Sequence, residues 1–570
     1  MTPRDLAQYG LFLLLTLALS VPAGAYLERV VQGRAALGRI LGPLERGLLR
    51  AMGVDPRVSM DWKAQVWAFT ATGLAGSAGL FGLLLVQRAL PGPPGPGQLT
   101  TPMTWDLALN TAVSFATGTT WQAYAGETTL QHGVQMVGLV TEGFLAGGTG
   151  LALGLAFIRG FSLEESPGLG NFWSDLVRSV LYVLLPLALL LGVLLVAQGA
   201  VMNFRDHRLV TGLEGQAQLL ATGPAAALEA IKNLGSNGGG FFAANGGHPL
   251  ANPTPLTNFL GMLAIVLLPA GLVQLFGRMT GRKSAAWVLF AVMTVLTGAG
   301  LVAAHLGERA TPPALAAAGI QAPNLEGKEV RFGVAQSVLA GVVSSNGACG
   351  ANAAQHGSFS ALGGGVLLFN MLLGEVAFGG LGTGLIGLLM AAVVAVFLAG
   401  LMIGRSPEYL GKSFRAREVK LAVLYALVTP ALVLLGAAVA LLAPAGRAGL
   451  SGNPVPRQFT EVVFAFASSA ANNGQAMGGL AANSPFWNLA LALTMLLGRF
   501  ASAALALALA GAIAGQRRRA ASEGSLPAGS AMFGALLLAT VVIVTGLSFL
   551  PVLALGPVAE QVRCADRPGS

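Results

Sequence analysis

Ten apolar stretches alternate with polar segments along this chain of 570 residues. Each is about 20 residues or longer, which is the length that a helix needs to cross the hydrocarbon core of a bilayer. The stretches occupy residues 6–27, 64–90, 130–158, 176–198, 256–277, 285–306, 362–403, 419–443, 486–514 and 531–556. The pattern therefore predicts an all-α polytopic membrane protein with ten transmembrane helices.

Two of these stretches depart from a plain span. The first ends near the AGA sequence at 23–25, which resembles a signal-peptide cleavage site. The segment before it has only Arg4 as a basic residue, and Asp5 cancels that charge, so we expect a retained helix. The seventh stretch is too long for one helix and carries FGGLGTG at 378–384, so we expect it to break in the middle.

The composition excludes a set of soluble domains. Charged residues make up 10% of the chain, against about 25% in an ordinary soluble protein, and the mean hydropathy is +0.69. Glycine, at 79 residues, suits close helix packing or a backbone that serves as a ligand surface. The two cysteines exclude a disulfide framework, and the five histidines lack the spacing of metal ligands.

The basic residues concentrate in one set of loops. These loops are mostly short, and they lie at 28–63, 159–175, 278–283, 405–420 and 517–519. Short basic loops face the cytoplasm, so the alternate loops face outside and, with ten helices, both termini do too. The same bias accounts for the net charge of +9 without a nucleic-acid partner.

The four outer loops, 91–129, 199–255, 307–361 and 444–485, share one pattern. In each, a short helix-like stretch precedes a cluster of Gly, Asn, Ser and Thr. The clusters read SFATGTTWQAYAGE (114–127), IKNLGSNGGGFFAANGGHP (231–249), VVSSNGACGANAAQHGSF (342–359) and SSAANNGQAMGGL (468–480). They recur every 112 to 124 residues, which predicts four pseudo-symmetric helix–pore loop–helix repeats with one extra helix at each end.

The repeats set the predicted boundaries. These are an N-terminal helix and cytoplasmic loop at 1–62, repeat 1 at 63–160 with pore loop 105–122, repeat 2 at 161–278 with pore loop 225–240, repeat 3 at 279–404 with pore loop 333–351, repeat 4 at 405–516 with pore loop 458–475, and a C-terminal helix and tail at 517–570.

Four such loops around one axis predict a site for a bare monovalent cation. Non-helical backbone inside a membrane must line water or be buried in protein. Carbonyl oxygens that point at a common axis replace the hydration shell of potassium, and glycine permits the backbone conformations that this requires. A divalent-ion site would normally add carboxylates, which the centres of the clusters lack. The alternative for any single cluster is a glycine-rich surface turn.

Nothing in the chain predicts ATP hydrolysis. The GKS at 411–413 lacks the glycine that a phosphate-binding loop carries five residues earlier, where Ser406 stands. No aspartyl-phosphorylation motif and no convincing catalytic set is present, which disfavours a membrane enzyme.

Four motifs resemble the potassium-binding subunit of the Kdp ATPase, over the whole chain. They are SNGGGFFAAN with HPLANPTPLTN (236–258), GLMIGRSPEYLGK (400–412), SSAANNG (468–474) and AANSPFWN (481–488). The resemblance implies a member of the potassium-transporter superfamily with one selectivity filter made by four non-identical loops. Two departures affect side chains: TGTTWQ stands where the family has TNTNWQ, and two asparagines stand where it often has three.

Carried over by position, the resemblance implies a set of site residues. The ion-facing residues are Thr117, Gly118, Thr119, Thr120, Ser236, Asn237, Gly238, Gly239, Ala348, Cys349, Gly350, Asn472, Asn473 and Gly474, with Gln122 as support. Potassium is the only metal expected.

The resemblance also implies partners and a location. They are a P-type ATPase catalytic subunit that uses ATP, a single-span accessory subunit, a small single-helix subunit and membrane lipid, in the bacterial inner membrane. The ion would leave the filter sideways through a tunnel toward the ATPase subunit. The alternative is a stand-alone potassium or sodium/potassium transporter of the Trk/Ktr type.

Charged side chains inside predicted spans form a second candidate set. Arg499 lies in the middle of a span, where an unpaired charge costs at least about 2.5–3.5 kcal/mol. Glu375 precedes the predicted break and Glu142 lies in the third stretch. They either pair structurally or form a barrier below the filter that controls coupling and gating. The other candidates for this role are Arg405, whose position also fits simple snorkelling, and Gly379 and Gly380 at the break.

Overall fold

The computed structural model describes residues 1–404, 407–450, 452–519 and 527–566 and is mostly helical. Ten of its helices are long and apolar enough to cross a membrane. In chain order, spans 1 to 10 are Pro3–Val31, Trp62–Ala89, His132–Ser162, Phe172–Ala197, Pro255–Thr280, Lys283–Arg309, Thr383–Met402, Ala416–Leu442, Pro485–Ala514 and Ala531–Arg563. Each coincides with one predicted stretch, so the predicted fold class is confirmed.

The seventh stretch is broken, as predicted. A short helix, Ala361–Leu372, precedes span 7, and the ten residues between them form irregular turns. Gly382 has φ +90° and lies against span 3, where an added Cβ would come within 2.5 Å of the Gly150 carbonyl oxygen. Only glycine fits such a conformation at so close an approach, so the break is built into the sequence.

Four short, buried helices precede the four Gly/Asn/Ser/Thr clusters. Pore helices 1 to 4 are Trp105–Ala116, Ala225–Leu234, Gly333–Asn346 and Val455–Ala471. Each packs against the spans beside it: pore helix 1 lies against spans 2 and 9, pore helix 2 against spans 4 and 5, pore helix 3 against spans 5 and 6, and pore helix 4 against spans 8 and 9.

Small residues let the first span join this bundle closely. Span 1 packs along span 5, where a Cβ on Gly24 would lie 2.6 Å from that of Gln274 and one on Gly271 would lie 2.9 Å from that of Ala23. Such close approach through small residues is how membrane helices gain packing energy without a hydrophobic driving force. This packing agrees with the expectation of a retained first helix.

Several elements of the loops were not predicted. An antiparallel hairpin, Arg208–Thr211 with Ala217–Leu220, lies in the second outer loop. A two-residue pairing, Glu408–Tyr409 with Lys412–Ser413, lies in the loop after span 7. A helix, Gly38–Ala51, lies between spans 1 and 2.

Lys412, the last residue of the GLMIGRSPEYLGK motif, ties two spans together. Its ammonium donates to the carbonyls of Leu163 (2.7 Å) and Gln516 (2.6 Å), just beyond the C-termini of spans 3 and 9. Helix C-termini carry partial negative charge, so a lysine suits this position. Burial lowers the pKa of the Lys412 ammonium. Arg405, in the same motif, lies outside the described residues.

Candidate ion-binding site

The four clusters meet in one closed ring. The close contacts are clearest from where an added Cβ atom would lie. A Cβ added to Gly238 would overlap Gly350, and a Cβ added to Gly350 would lie 3.0 Å from the carbonyl carbon of Gly474. A Cβ added to Gly474 would overlap the carbonyl oxygen of Thr119. Thr120 completes the ring, since its hydroxyl would lie 2.5 Å from a Cβ on Gly238. The loops therefore pack in chain order around a centre, and glycine is required because each backbone lies directly against the next.

Hydrogen bonds also join neighbouring loops. The Asn237 carbonyl accepts from the backbone N–H of Gly350 at 2.7 Å, and the Ser236 hydroxyl donates to the Gly347 carbonyl at 2.5 Å. The Asn472 amide donates to the Thr119 hydroxyl at 2.9 Å. One of the two lone pairs of the Asn237 carbonyl is thus already engaged by protein.

The same unusual backbone conformation recurs where each pore helix ends. Positive φ angles are found at Gly118 (78°), Ser236 (51°), Ala348 (48°) and Asn472 (59°). Three of the four are not glycine, and residues in this sparsely populated region are held by their surroundings and concentrate at functional sites. The four positions are structurally equivalent, which aligns Thr120, rather than Thr119, with Gly238, Gly350 and Gly474.

All fourteen residues predicted to face the ion lie in or beside this ring, and all are buried except Gly474, which is half-buried. The side chain of Cys349 points away from it, toward the Lys232 carbonyl of pore helix 2 (3.8 Å). Gln122 accepts from the Gly240 N–H at 2.7 Å and donates to the Tyr124 hydroxyl at 3.0 Å. The bond from Gly240 joins the first loop to the second.

The departures from the family pattern have partners here. Besides accepting from Asn472, the Thr119 hydroxyl lies 2.9 Å from that of Thr117. Asn473 donates to the Ser344 carbonyl at 3.0 Å and to the Glu375 carboxylate at 2.8 Å. The threonines are therefore bonded to the fourth loop through Asn472, and Asn473 separately bonds the fourth loop to the third pore helix and to Glu375.

The break of the seventh stretch lies directly beneath the ring. The Gly380 N–H donates to the Gly347 carbonyl at 3.0 Å, and Glu375, which is buried, accepts from Asn473. Gly379 is packed against the Glu375 backbone, so it shapes the turn and does not reach the ring. The third and fourth loops of the ring are thus attached to the break through Gly380 and Glu375, respectively.

Arg499 faces the floor of the ring. A small cavity of about 20 Å³ is lined by Gly118, Ser236, Ala348 and Asn472, the four equivalent residues, together with Arg499. The guanidinium lies 3.5 Å from the Ala146 carbonyl and 5.3 Å from the centre of the Phe69 ring. Within the described part of the chain it pairs with no carboxylate, so the structural-pairing alternative lacks an acidic partner.

A larger cavity, of about 150 Å³, extends to the side. Its lining includes Glu375, Tyr425 of span 8, Arg499 of span 9 and Thr540 of span 10. Arg499 therefore borders both cavities. Glu142 borders neither cavity and lies against Gly76 of span 2.

A buried ion pair behind the ring was overlooked in the sequence. The Lys232 ammonium donates to Glu229 at 2.5 Å and to the side-chain oxygen of Asn245 at 2.6 Å, and the Asn245 amide donates to the Gly350 carbonyl at 3.1 Å. The Lys232 side chain is fully buried. The sequence signal for this ion pair was the presence of Glu229 and Lys232 three residues apart in the second pore helix, next to its glycine-rich cluster. This Glu229–Lys232–Asn245 strut holds the Gly350 backbone in place.

We expect removal of the strut to weaken potassium affinity even when its charge is balanced. Lys232→Met alone leaves Glu229 buried without a charged partner, which costs about 3–5 kcal/mol and should reduce the amount of protein in the membrane. Lys232→Met with Glu229→Gln should restore abundance but raise the apparent KM for potassium about fivefold, since one positioning hydrogen bond is worth about 1 kcal/mol. Potassium-dependent ATP hydrolysis by the purified complex measures this.

The matched control is a second buried pair among the described residues, Lys328 with Glu308, 2.7 Å apart in and near the third outer loop. Lys328→Met with Glu308→Gln is balanced in the same way and should leave the KM unchanged. An unchanged KM in the Lys232 double variant would show that the strut is only structural.

Comparison with known proteins identifies the family of the chain. A family model described as potassium-transporting ATPase A subunit matches residues 10–562. Relatives named potassium-transporting ATPase potassium-binding subunit are 47% identical in Sorangium cellulosum (99% of this chain, 100% of the relative), 48% in Laribacter hongkongensis (100% of both) and 47% in Escherichia coli (97% and 98%).

Among solved structures, the fold is similar to that of the potassium transporter TrkH from Vibrio parahaemolyticus. The TM-score is 0.51 at 15% identity, over 88% of this chain and 97% of that one. This likeness concerns the fold alone, whereas the family match and the relatives extend over nearly the full length. The chain therefore belongs to the family of potassium-transporting ATPase A subunits.

Proposed function

We propose that this chain binds extracellular potassium in the ring of four loops and passes it to a P-type ATPase subunit, for high-affinity uptake driven by ATP. Family membership and full-length relatives that bear the name of an ATPase subunit favour this function over a stand-alone Trk/Ktr-type transporter. ATP is used by the partner, and potassium is the transported ion. This chain itself contributes no ATPase site.

The ring suits a dehydrated monovalent cation. Potassium must exchange its water for protein oxygens at nearly equal free energy, and neutral carbonyls and hydroxyls provide these without holding the ion too tightly. The residues of the ring are uncharged, while the Glu229–Lys232 pair behind it is neutral as a unit. Direct contact between Gly238, Gly350, Gly474 and the first loop keeps the spacing of the oxygens from relaxing.

One observation carries the proposal: the four equivalent residues and Arg499 line the same small cavity. A cation that leaves the ring toward the cytoplasm meets the guanidinium on its path. The side cavity begins at the same arginine and has the Glu375 carboxylate in its wall, which attracts a cation. In the proposed mechanism, Arg499 blocks the straight path and the ion leaves sideways.

The proposed assembly includes a P-type ATPase catalytic subunit, a single-span accessory subunit and a small single-helix subunit in the bacterial inner membrane. Purification of the tagged chain in mild detergent tests it. An ATPase of P-type size should copurify, and the chain alone, with potassium transport of its own, would favour the Trk/Ktr alternative.

We expect the four loops to open to the outside. In a Cys564→Ser background, a cysteine at exposed Ala448, after span 8, should react with an impermeant thiol reagent on intact cells. A cysteine at exposed Arg57, between spans 1 and 2, should react only after the membrane is permeabilised. The reverse labelling would contradict both the orientation and the side from which the ion enters.

A further inference from the structure

The helix Gly38–Ala51, which we name the amphipathic helix, joins spans 1 and 2 and has three distinct faces. One face is held by protein. Gly42 and Leu49 are buried, and Glu45 accepts from Arg178 and from the Tyr182 hydroxyl, both at 2.7 Å. These two partners belong to span 4, so the helix is fixed at the cytoplasmic end of that span.

A second face is apolar and exposed. Ile40, Leu44 and Leu48 are 74%, 49% and 39% exposed. Their spacing of four residues places them in one row along the helix. Span 4, to which the helix is fixed, also exposes Leu189, Leu190 and Val193, but these lie in its other half, away from the end that holds the helix. The row on the helix is therefore an exposed apolar surface of its own.

The third face is basic. Arg39, Arg46 and Arg50 are exposed, and at about 100° per residue they fall within an arc of about 40°. The arc lies on the far side of the helix from Leu44. A helix that carries an apolar row and a basic row, and is too polar to cross a membrane, is typical of helices that lie in a membrane interface.

We propose that the amphipathic helix lies in the cytoplasmic leaflet, with Ile40, Leu44 and Leu48 among acyl chains and its three arginines bound to anionic phospholipid headgroups. The guanidinium groups match phosphate in charge and in hydrogen-bond geometry. A lipid surface accounts for the apolar row and the basic row together. The proposal rests on the proposed orientation of the loops but not on the filter.

Quenching by brominated lipids tests it on the assembled complex. In a Cys564→Ser background, a fluorophore on Leu44→Cys should be strongly quenched in vesicles of phosphatidylcholine with brominated chains. The same fluorophore on Arg46→Cys, nearly opposite on the helix, should be quenched at most half as much. Equal quenching at both positions, or none at Leu44, would overturn the interfacial placement, and a cross-link from Leu44→Cys to another subunit would show that protein covers this face.

A second arm tests the headgroup. Brominated phosphatidylglycerol, offered at the same low mole fraction in unbrominated phosphatidylcholine, should quench the Leu44→Cys probe at least twofold more than brominated phosphatidylcholine does. This preference should disappear in Arg39→Gln/Arg46→Gln/Arg50→Gln and persist in the control Arg205→Gln/Arg208→Gln/Arg447→Gln, which removes three exposed arginines from outer loops. A preference unchanged in the first variant would overturn the assignment of the arginines. Neither arm requires transport, so failure here leaves the potassium proposal standing.

Discussion

Gly238→Asp should raise the potassium concentration needed for half-maximal activity by at least tenfold and reduce discrimination against sodium, ammonium and rubidium. Gly238 has φ +148°, which L side chains rarely adopt, and its Cα lies against Gly350 and the Thr120 hydroxyl. A carboxylate here both displaces the third loop and adds charge to a site built from neutral oxygens. Carbonyl sites select through spacing and field strength, so one distorted wall suffices to lose selectivity.

The control for this variant must lie in the same loop without touching the ring. Gly246 does not qualify, because an added Cβ would come within 3.0 Å of the Asn352 carbonyl oxygen. A Cβ added to Gly247 would lie 3.8 Å from its nearest neighbour, the Ala353 carbonyl oxygen, which is an ordinary contact distance. Gly247→Ala should therefore keep normal affinity, with both variants measured by ion-dependent ATP hydrolysis of the purified complex at equal abundance. Normal affinity and selectivity in Gly238→Asp would show that the second cluster is an ordinary turn.

Arg499→Gln should leave the complex assembled while potassium uptake per ATP falls several-fold. The guanidinium faces the floor of the ring and has no carboxylate partner among the described residues, so neutralising it removes the positive barrier on the straight path. Two unit charges about 6 Å apart repel by about 3 kcal/mol at an effective dielectric constant of about 20, enough to change an ion's rate of passage over 100-fold.

Transport and hydrolysis measured together in proteoliposomes separate the two roles of Arg499. Arg499→Lys keeps the charge and should retain most of the coupling, whereas Arg417→Gln, at an exposed arginine in the first turn of span 8, should have no effect. If Arg499→Gln instead reduces assembly, and the complex that does assemble takes up potassium normally per ATP hydrolysed, the arginine is structural.

The sequence predicted those features whose signals are local. Span length, the break at 378–384 and the glycine-rich ends of the pore helices are each contained in a short window, and all are found in the structure. The turn conformation needed at Gly238 follows from glycine itself. Even there the register of the first loop required coordinates, since Thr120 rather than Thr119 occupies the position equivalent to Gly238.

What sequence reasoning missed depends on contacts between distant residues or on mixed patterns. Asn245 binds Lys232 on one side and Gly350 on the other. Asn245 and Gly350 are 105 residues apart in sequence, so no local window contains both. The amphipathic helix is too polar on average to register as a span, and the face that packs on protein is identified only by the contacts of Glu45 and the burial of Gly42 and Leu49. Arg499 was identified from the free-energy cost of a charged side chain inside a membrane, but its position beneath the ring follows only from the packing of span 9.

The central claim is that the ring binds potassium selectively, and equilibrium binding tests it most directly. Radioactive rubidium bound to the purified complex, in the absence of ATP, is displaced by potassium or by sodium in parallel titrations, for the unmodified chain and for Gly238→Asp. We expect potassium to displace rubidium from the unmodified complex at a concentration at least 100-fold lower than sodium does, and Gly238→Asp to remove most of this difference. Equal displacement by the two ions in the unmodified complex, or an unchanged difference in Gly238→Asp, would contradict the central claim.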